Sequence, residues 1–463
     1  MRKINCGLTM LLISLGLISC SMIYPQYDKP VIDTPTSWAN MNEALSTESN
    51  IAYTAWWQQF NDPLLNKLIE SGLSVNNTVQ KAYGNLELAQ GQLKAVELSW
   101  LPSLTGMAGY SSNPALGNPQ VFYGAMPVYA SLNIFNLLAR QKSADINVEA
   151  ANYAVEATKL AFIGQMATGY YTYIAEIEML KLYDNYLRDL QEMLDIQKDD
   201  FAGGLNSQIA VKGLSDRYNA ALANQKIIRS NILKSQNALR YLLNQNPGGV
   251  SGAANFGGLN TVYANFGSKP ATVLKNRPDV ALAEAQYRLA VQNVGVAASQ
   301  LLPSIQLDYF AGQVDVAQSG LPNGIYGPLS DAYVNWSVNP AVFGQISALS
   351  GSKKVAYSNY VDTVRKALHD VDNDLINHRD ANERYDDLNK SYLSAQDKYR
   401  LNYDLYRQGI IAYAATLDDK LAVDQAAIAL NRVKLIQMIT MVNLYQDLGG
   451  GYRYNESAPV AAK

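Results

Sequence analysis

VQKAYGNLELAQGQLKAVELSWLPS, residues 79–103, returns as VALAEAQYRLAVQNVGVAASQLLPS, residues 280–304. Both stretches end on Leu-Pro-Ser, and both place apolar residues at alternating steps of three and four. In the first these are Val79, Ala82, Leu86, Ala89, Leu93, Val96 and Trp100; in the second, Val280, Ala283, Tyr287, Ala290, Val294, Ala297 and Leu301. That spacing predicts an apolar seam along a helix, made twice. Downstream, Ala202-Gly203-Gly204-Leu205 answers Arg407-Gln408-Gly409-Ile410, and Leu242-Leu243 answers Asp447-Leu448. Two tandem copies of one long unit therefore account for most of the 463 residues.

Proline marks the rest of the unit by its absence. The chain has 16 prolines, yet none falls in residues 128–246 or 341–458. Both runs read as helix broken once near a glycine. The reading gives long helices over 136–201 and 342–408, each about 100 Å if continuous, with antiparallel return helices over 207–244 and 413–447.

Between seam helix and long helix the period changes to two. Ile305, Leu307, Tyr309 and Ala311 alternate with Gln306, Asp308 and Phe310. After a loop through Leu321-Pro322-Asn323-Gly324, Val334, Trp336 and Val338 alternate with Asn335 and Ser337. In the first half Val128, Ala130, Leu132 and Ile134 alternate with Tyr129, Ser131 and Asn133 after a loop holding Asn113-Pro114 and Asn118-Pro119. Strands of this kind suit an outer-membrane barrel and, on periodicity alone, equally two soluble hairpins. Four strands do not close a barrel, so a dimer, trimer or tetramer would have to supply eight, twelve or sixteen.

The chain starts with Arg2 and Lys3, an apolar run over residues 8–18, and Leu17-Ile18-Ser19-Cys20. This is an export signal whose end resembles a bacterial lipobox, with Cys20 as the acylated first residue of the mature chain. Ser21 in the next position resembles lipoproteins sorted to the outer membrane. Cys6 falls in the removed segment, which leaves neither a disulfide framework nor a thiolate metal site. No later stretch offers some twenty uninterrupted apolar residues, so a membrane crossing would have to be a closed β-barrel.

A net charge of -3 gives no basic footprint for nucleic acid. His369 and His378, the two histidines, lack the spacing of a helical metal pair, and residues 248–258 lack the Gly-Lys-Ser/Thr ending of a phosphate loop. No Gly-x-Ser-x-Gly elbow occurs. The reading is of a protein that is not an enzyme and needs no cofactor or metal.

The lipobox, Trp57-Gln58-Gln59-Phe60-Asn61-Asp62-Pro63-Leu64-Leu65, the twin Leu-Pro-Ser elements, Asn276-Arg277-Pro278-Asp279-Val280 and the closing Leu444-Tyr445-Gln446-Asp447-Leu448-Gly449-Gly450-Gly451-Tyr452 together resemble the TolC family of outer-membrane efflux channels, in its OprM-type lipoprotein branch. The resemblance implies a mainly α fold with a membrane β-barrel. Three copies would share a 12-stranded barrel continuous with a long periplasmic α-helical barrel, girdled by an equatorial domain. It also implies a passive efflux duct in the outer membrane, served by a periplasmic adaptor and a proton-driven inner-membrane pump, and carrying drugs or other toxic small molecules. A duct for type I protein secretion or metal-ion efflux stays open as an alternative, as does a lipid-anchored, periplasm-spanning coiled-coil scaffold without a pore.

On this reading residues 1–19 are the signal peptide, 20–55 a lipidated tether, 56–246 the first repeat, 247–270 a linker, 271–452 the second repeat and 453–463 a flexible tail. By resemblance, Tyr406 and Asp418 occupy gate positions, with Asp419 beside them and Arg407 as a substitute cation. Ile411 and Ala415 stand where relatives carry charge, so the lock must differ. Asp418 and Asp419 also suit a plain helix start. The turns at Gly203, Gly204 and Leu205 and at Gly409 and Ile410 are expected to dock the adaptor. A Phe-Gly-Arg type turn into each long helix is incomplete here: the Ile134 to Arg140 stretch lacks the glycine, and Val342-Phe343-Gly344-Gln345 lacks the arginine.

Overall fold

The computed structural model describes residues 27–39, 51–111, 120–250, 252, 255–259, 269–314, 325–326 and 329–455. The export signal, Cys20, Ser21 and the two strand-connecting loops lie outside them. The chain divides into two compact units, one of residues 1–32, 84–153 and 279–363, the other of residues 33–83, 154–278 and 364–463. Each unit thus takes pieces of both repeats.

In chain order the helices are α1 (Pro63–Val75), α2 (Asn77–Leu98), α3 (Ile134–Ala202), α4 (Gln208–Leu242), α5 (Pro270–Asn276), α6 (Pro278–Ala298), α7 (Ala341–Arg407) and α8 (Tyr413–Asp447). The strands are β1 (Ser103–Ser111), β2 (Gln120–Leu132), β3 (Ser304–Val314), β4 (Ile325–Tyr326) and β5 (Leu329–Asn335).

The first unit holds the sheet. It is antiparallel, β1-β2-β3, with β4 and β5 both laid along the far side of β3. Ser103 pairs with Val128, Val128 with Asp308, and Ser304 with Asn335, and the β2–β3 register shifts between Tyr129 and Leu132. The repeats therefore meet at the β2–β3 ladder. Among the described residues β1 and β5 each show one ladder edge with no strand beside it, a row of backbone groups that another chain's strand would satisfy.

Two strand ends differ from the sequence reading. β2 stops at Leu132, and Ile134 opens α3; β5 stops at Asn335, and Trp336 and Val338 lie beyond it. The alternation runs on, but side-chain bonds end the strands. Asn133 accepts from the Asn136 amide at 2.9 Å and donates to the carbonyls of Ser299 at 3.0 Å and Leu302 at 3.1 Å. It caps α3 and ties its start to the end of α6. In the second repeat Asn339 accepts from the Ala341 amide at 3.0 Å, and the Trp336 indole donates to the Leu301 carbonyl at 2.9 Å. An asparagine before each long helix takes the place of the incomplete glycine-arginine turn.

α3 continues along α6 through polar pairs. Asn136 donates to the Ser299 hydroxyl at 2.9 Å, Ser143 to Asn293 at 2.8 Å, and Arg288 pairs with Glu149 at 2.5 Å. The seam of α6 is covered further by the N-terminal strap, where Lys29 pairs with Glu284 at 2.8 Å and the Tyr27 ring meets Tyr287 edge-on at 5.7 Å. Residues 27–39 have no helix or strand.

The second unit carries the larger core. Trp56, Trp57, Phe60, Leu65, Ile69, Tyr170, Tyr171 and Leu444 are buried together, and Trp56 stacks on Tyr445 at 4.8 Å. Asp62 caps α1 by accepting from the amides of Leu64 and Leu65, and also accepts from the Tyr170 hydroxyl at 2.5 Å. Pro63 behind it suits the first helical position. This explains the Asn61-Asp62-Pro63-Leu64 sequence physically.

Three expected loose segments are packed where described. Ile51 and Ala52, placed in the tether, are buried. Phe256, placed in the linker, is 1% exposed, and the Lys434 ammonium lies 5.5 Å from its ring while donating to the Gly257 carbonyl at 2.9 Å. Arg453, placed in the tail, bonds Glu156 and the Tyr53 hydroxyl, and the Tyr454 ring meets Trp57 at 5.0 Å. Aromatic and cationic contacts extend the core past both expected boundaries.

Candidate functional site

The candidate site is the end of the second unit where both long hairpins reverse. α3 and α7 end alike. The Leu205 amide donates to the Asp200 carbonyl at 2.8 Å and the Gly204 amide to Phe201 at 3.0 Å. In the other repeat the Ile410 amide donates to Leu405 at 3.0 Å and the Gly409 amide to Tyr406 at 2.8 Å. These are paired 6→1 and 5→2 bonds, which close a helix when the residue between them is left-handed. Gly204 and Gly409 both have φ +76, where a Cβ is unfavourable. Each turn projects an exposed apolar residue, Leu205 and Ile410. Gly203 occupies the cap position before the left-handed residue and has no positive φ.

The gate residues separate into three surroundings. Tyr406 is partly exposed and lies in a file of rings, 6.0 Å from Tyr403 and 5.1 Å from Tyr413. Asp418 is exposed, whereas Asp419 is buried. Asp419 pairs with Lys398 at 2.8 Å and accepts from Asn402 at 2.5 Å. Burial opposes its ionisation, but the hydrogen bonds from Lys398 and Asn402 outweigh it and hold the carboxyl below its ordinary range. Asp419 thus ties α8 to α7 within one chain. Arg407 is exposed and makes no ion pair among the described residues.

The cations that hold α8 are others. Lys420 pairs at 2.9 Å with Asp189 of α3, whose side chain is 1% exposed, and Asp189 also accepts from Arg188 at 3.1 Å. Asp424 lies one turn beyond Lys420 on α8. Burial, then the Asp189 charge, push Asp424 up to about 7. Asp424 therefore holds its proton far above the ordinary carboxylate range. Nearer the turn, the Tyr413 hydroxyl donates to Glu192 at 2.7 Å, and this bond, followed by burial and the carboxylate charge, raises it to about 12.

Sequence reasoning found the turns and missed Asp189, Glu192, Lys398, Lys420 and Asp424. One signal was available: Asp189 interrupts the apolar stripe Tyr186, Leu187, Leu190, Met193, and a carboxylate there requires a partner.

Among the described residues no group of three or more His, Cys, Asp or Glu is placed to hold a metal ion. No helix among the described residues is long and apolar enough to cross a membrane.

Two curated relatives match nearly full length at 25% identity. Nodulation protein T of Rhizobium leguminosarum bv. trifolii aligns over 94% of this chain and 96% of its own. The toluene efflux pump outer membrane protein TtgC of Pseudomonas putida aligns over 94% and 93%. Among solved structures, the open state of the Neisseria gonorrhoeae MtrE outer membrane channel superposes with a TM-score of 0.81 at 22% identity, covering 94% of this chain and 99% of that one. The OprN outer-membrane channel gives 0.75 at 20%, covering 92% and 99%. These establish the fold of a β-barrel joined to a helical barrel. The model of the family described as outer membrane efflux protein matches residues 68–245 and again 270–450, once per repeat, and the chain belongs to that family.

Proposed function

We propose that three copies of this chain form the outer-membrane duct of a tripartite efflux system, passively conducting drugs or other toxic small molecules. The observation that carries this is the sheet: four staves, the last made of β4 and β5, with open edges at β1 and β5 among the described residues, which a closed barrel must pair with strands of sister copies. Cys20 carries the acyl anchor. Nothing in the chain's chemistry supplies energy, so an inner-membrane pump, proton-driven, delivers the cargo through a periplasmic adaptor.

The exposed apolar pair Leu205 and Ile410 at the two turns receives the adaptor. Three exposed Asp418 side chains face the axis and select charge, with Tyr406 beside them narrowing the passage. Relatives named for toluene and antibiotic efflux support the substrate class.

Deleting the gene is expected to raise intracellular accumulation of a hydrophobic fluorescent dye, and the intact gene to restore its expulsion. Unchanged accumulation, with the chain shown to be expressed beforehand, contradicts the substrate class.

A further inference from the structure

In the second unit four helices lie in an open layer. α4 packs on α3 through Leu214, Ala221 and Ile228, and α3 packs on α8 through Leu190, Leu417 and Leu421. α7 reaches α8 through Lys398 with Asp419 and Asn382 with Gln437. The order is α4, α3, α8, α7, which leaves α4 and α7 each with one side uncovered.

These two sides are complementary in charge. α4 carries six cations and the single acid Asp216, while residues 370–407 of α7 carry nine carboxylates against six cations. Several α7 acids are engaged locally, such as Asp380 by Arg384, Asp387 by Lys390 and Asp397 by Arg400. Glu383, Asp386 and Asp404 are exposed and make no ion pair among the described residues, and the same is true of Lys212, Arg229 and Lys234 on α4. Exposed apolar side chains accompany them, Ile227 and Leu233 on α4 and Leu393 and Leu401 on α7.

The levels also agree. Lys420 lies 11 residues beyond Gly409 and Asp189 lies 15 residues before Gly204, and their 2.9 Å ion pair sets the two side by side. At about 1.5 Å per residue the second reversal therefore stands about 6 Å short of the first. Measured from Gly204, Lys212 and Asp404 stand at about 12 and 14 Å, Arg229 and Asp386 at about 38 and 41 Å, and Lys234 and Glu383 both at about 45 Å. A rotation axis along the helices preserves these levels from copy to copy, and head-to-tail contacts of this kind close into rings.

We propose that α4 of one copy seats against α7 of the next, with Lys212 opposite Asp404, Arg229 opposite Asp386 and Lys234 opposite Glu383. The apolar side chains supply contact area, and the charges fix register and exclude slipped pairings. The proposal deepens the three-copy reading and rests on it.

The test uses cysteine pairs in the full-length chain, treated with a short bismaleimide in detergent after the particle mass has been measured. Lys234→Cys with Glu383→Cys, and Lys212→Cys with Asp404→Cys, are expected to give covalent dimers and trimers on a denaturing gel. The crossed pair Lys212→Cys with Glu383→Cys, about 33 Å apart in level, is expected to stay monomeric. Trimers in which the matched pairs do not link, or in which the crossed pair links equally, overturn the seam alone. A particle of monomer mass overturns the three-copy reading as well. As a second readout, Lys234→Glu is expected to lower the temperature at which trimers dissociate, and added Glu383→Lys to restore it.

Discussion

Lys420 of α8 donates a 2.9 Å hydrogen bond to Asp189 of α3, a carboxylate whose side chain is only 1% exposed and lies among Tyr186, Leu187 and Leu190. Replacing Lys420 by Met leaves that charge buried with Arg188 as its remaining cationic partner. The expected cost is about 3 kcal/mol, read as a lower thermal midpoint of the purified protein. Asp189→Asn with Lys420→Met is expected to recover most of the loss. A Lys420→Met variant as stable as the parent contradicts the pair.

The raised carboxyl of Asp424 makes stability depend on pH, as does a second group. Burial, then the charges of Asp447 and Asp370, push Asp374 up to about 8. Both groups bind their protons more tightly in the folded chain than in the unfolded one. Their contribution is therefore greatest in acid and falls as pH climbs from the ordinary carboxylate range to about 7 for Asp424 and about 8 for Asp374. Thermal midpoints between pH 5 and 9, chosen on the order of these values, are expected to decline in the parent and to flatten in Asp424→Asn with Asp374→Asn. An equal slope in both proteins rules these two groups out as its source.

Asn133 satisfies three backbone groups at once. Asn133→Ala is expected to destabilise the chain by about 1–2 kcal/mol, with faster amide exchange confined to the first turn of α3. Asn133→Asp keeps the acceptor and loses the donor, and is expected to recover part of the cost. Unchanged exchange in Asn133→Ala excludes the capping role.

Asp418 and Asp419 are adjacent but face different surroundings, so their removal is expected to differ. Asp418→Ala is expected to enlarge leak conductance and weaken block by divalent cations at nearly unchanged stability. Asp419→Ala frees Lys398 and Asn402 and is expected to lower stability. Single-channel recording beside thermal melts separates the two, and identical behaviour contradicts the assignment.

What was legible in the sequence was local. The seam residues Val79, Ala82 and Ala89 are buried at their expected spacing, and Gly204 and Gly409 take the left-handed conformation their turns require. Periodicity reports which side of an element is covered and helix-breaking residues report where it turns, so the paired helices were readable. Strand ends were not, because alternation persists through Ile134, Trp336 and Val338 after the ladder has stopped. The polar ties of α8 were hidden for another reason: Asp189 and Lys420 are 231 residues apart, and no local pattern links them. Likewise Arg453 looked like tail because its partners Glu156 and Tyr53 are remote in the chain.

The central claim is that sister copies complete a barrel and leave an open passage. Planar-bilayer recording with the purified protein tests it most directly. Stepwise insertion of uniform conducting units is expected, each arising from a particle of trimer mass. A trimer that reaches the membrane and gives no conductance, in the parent and in Asp418→Ala alike, contradicts the duct and favours a scaffold.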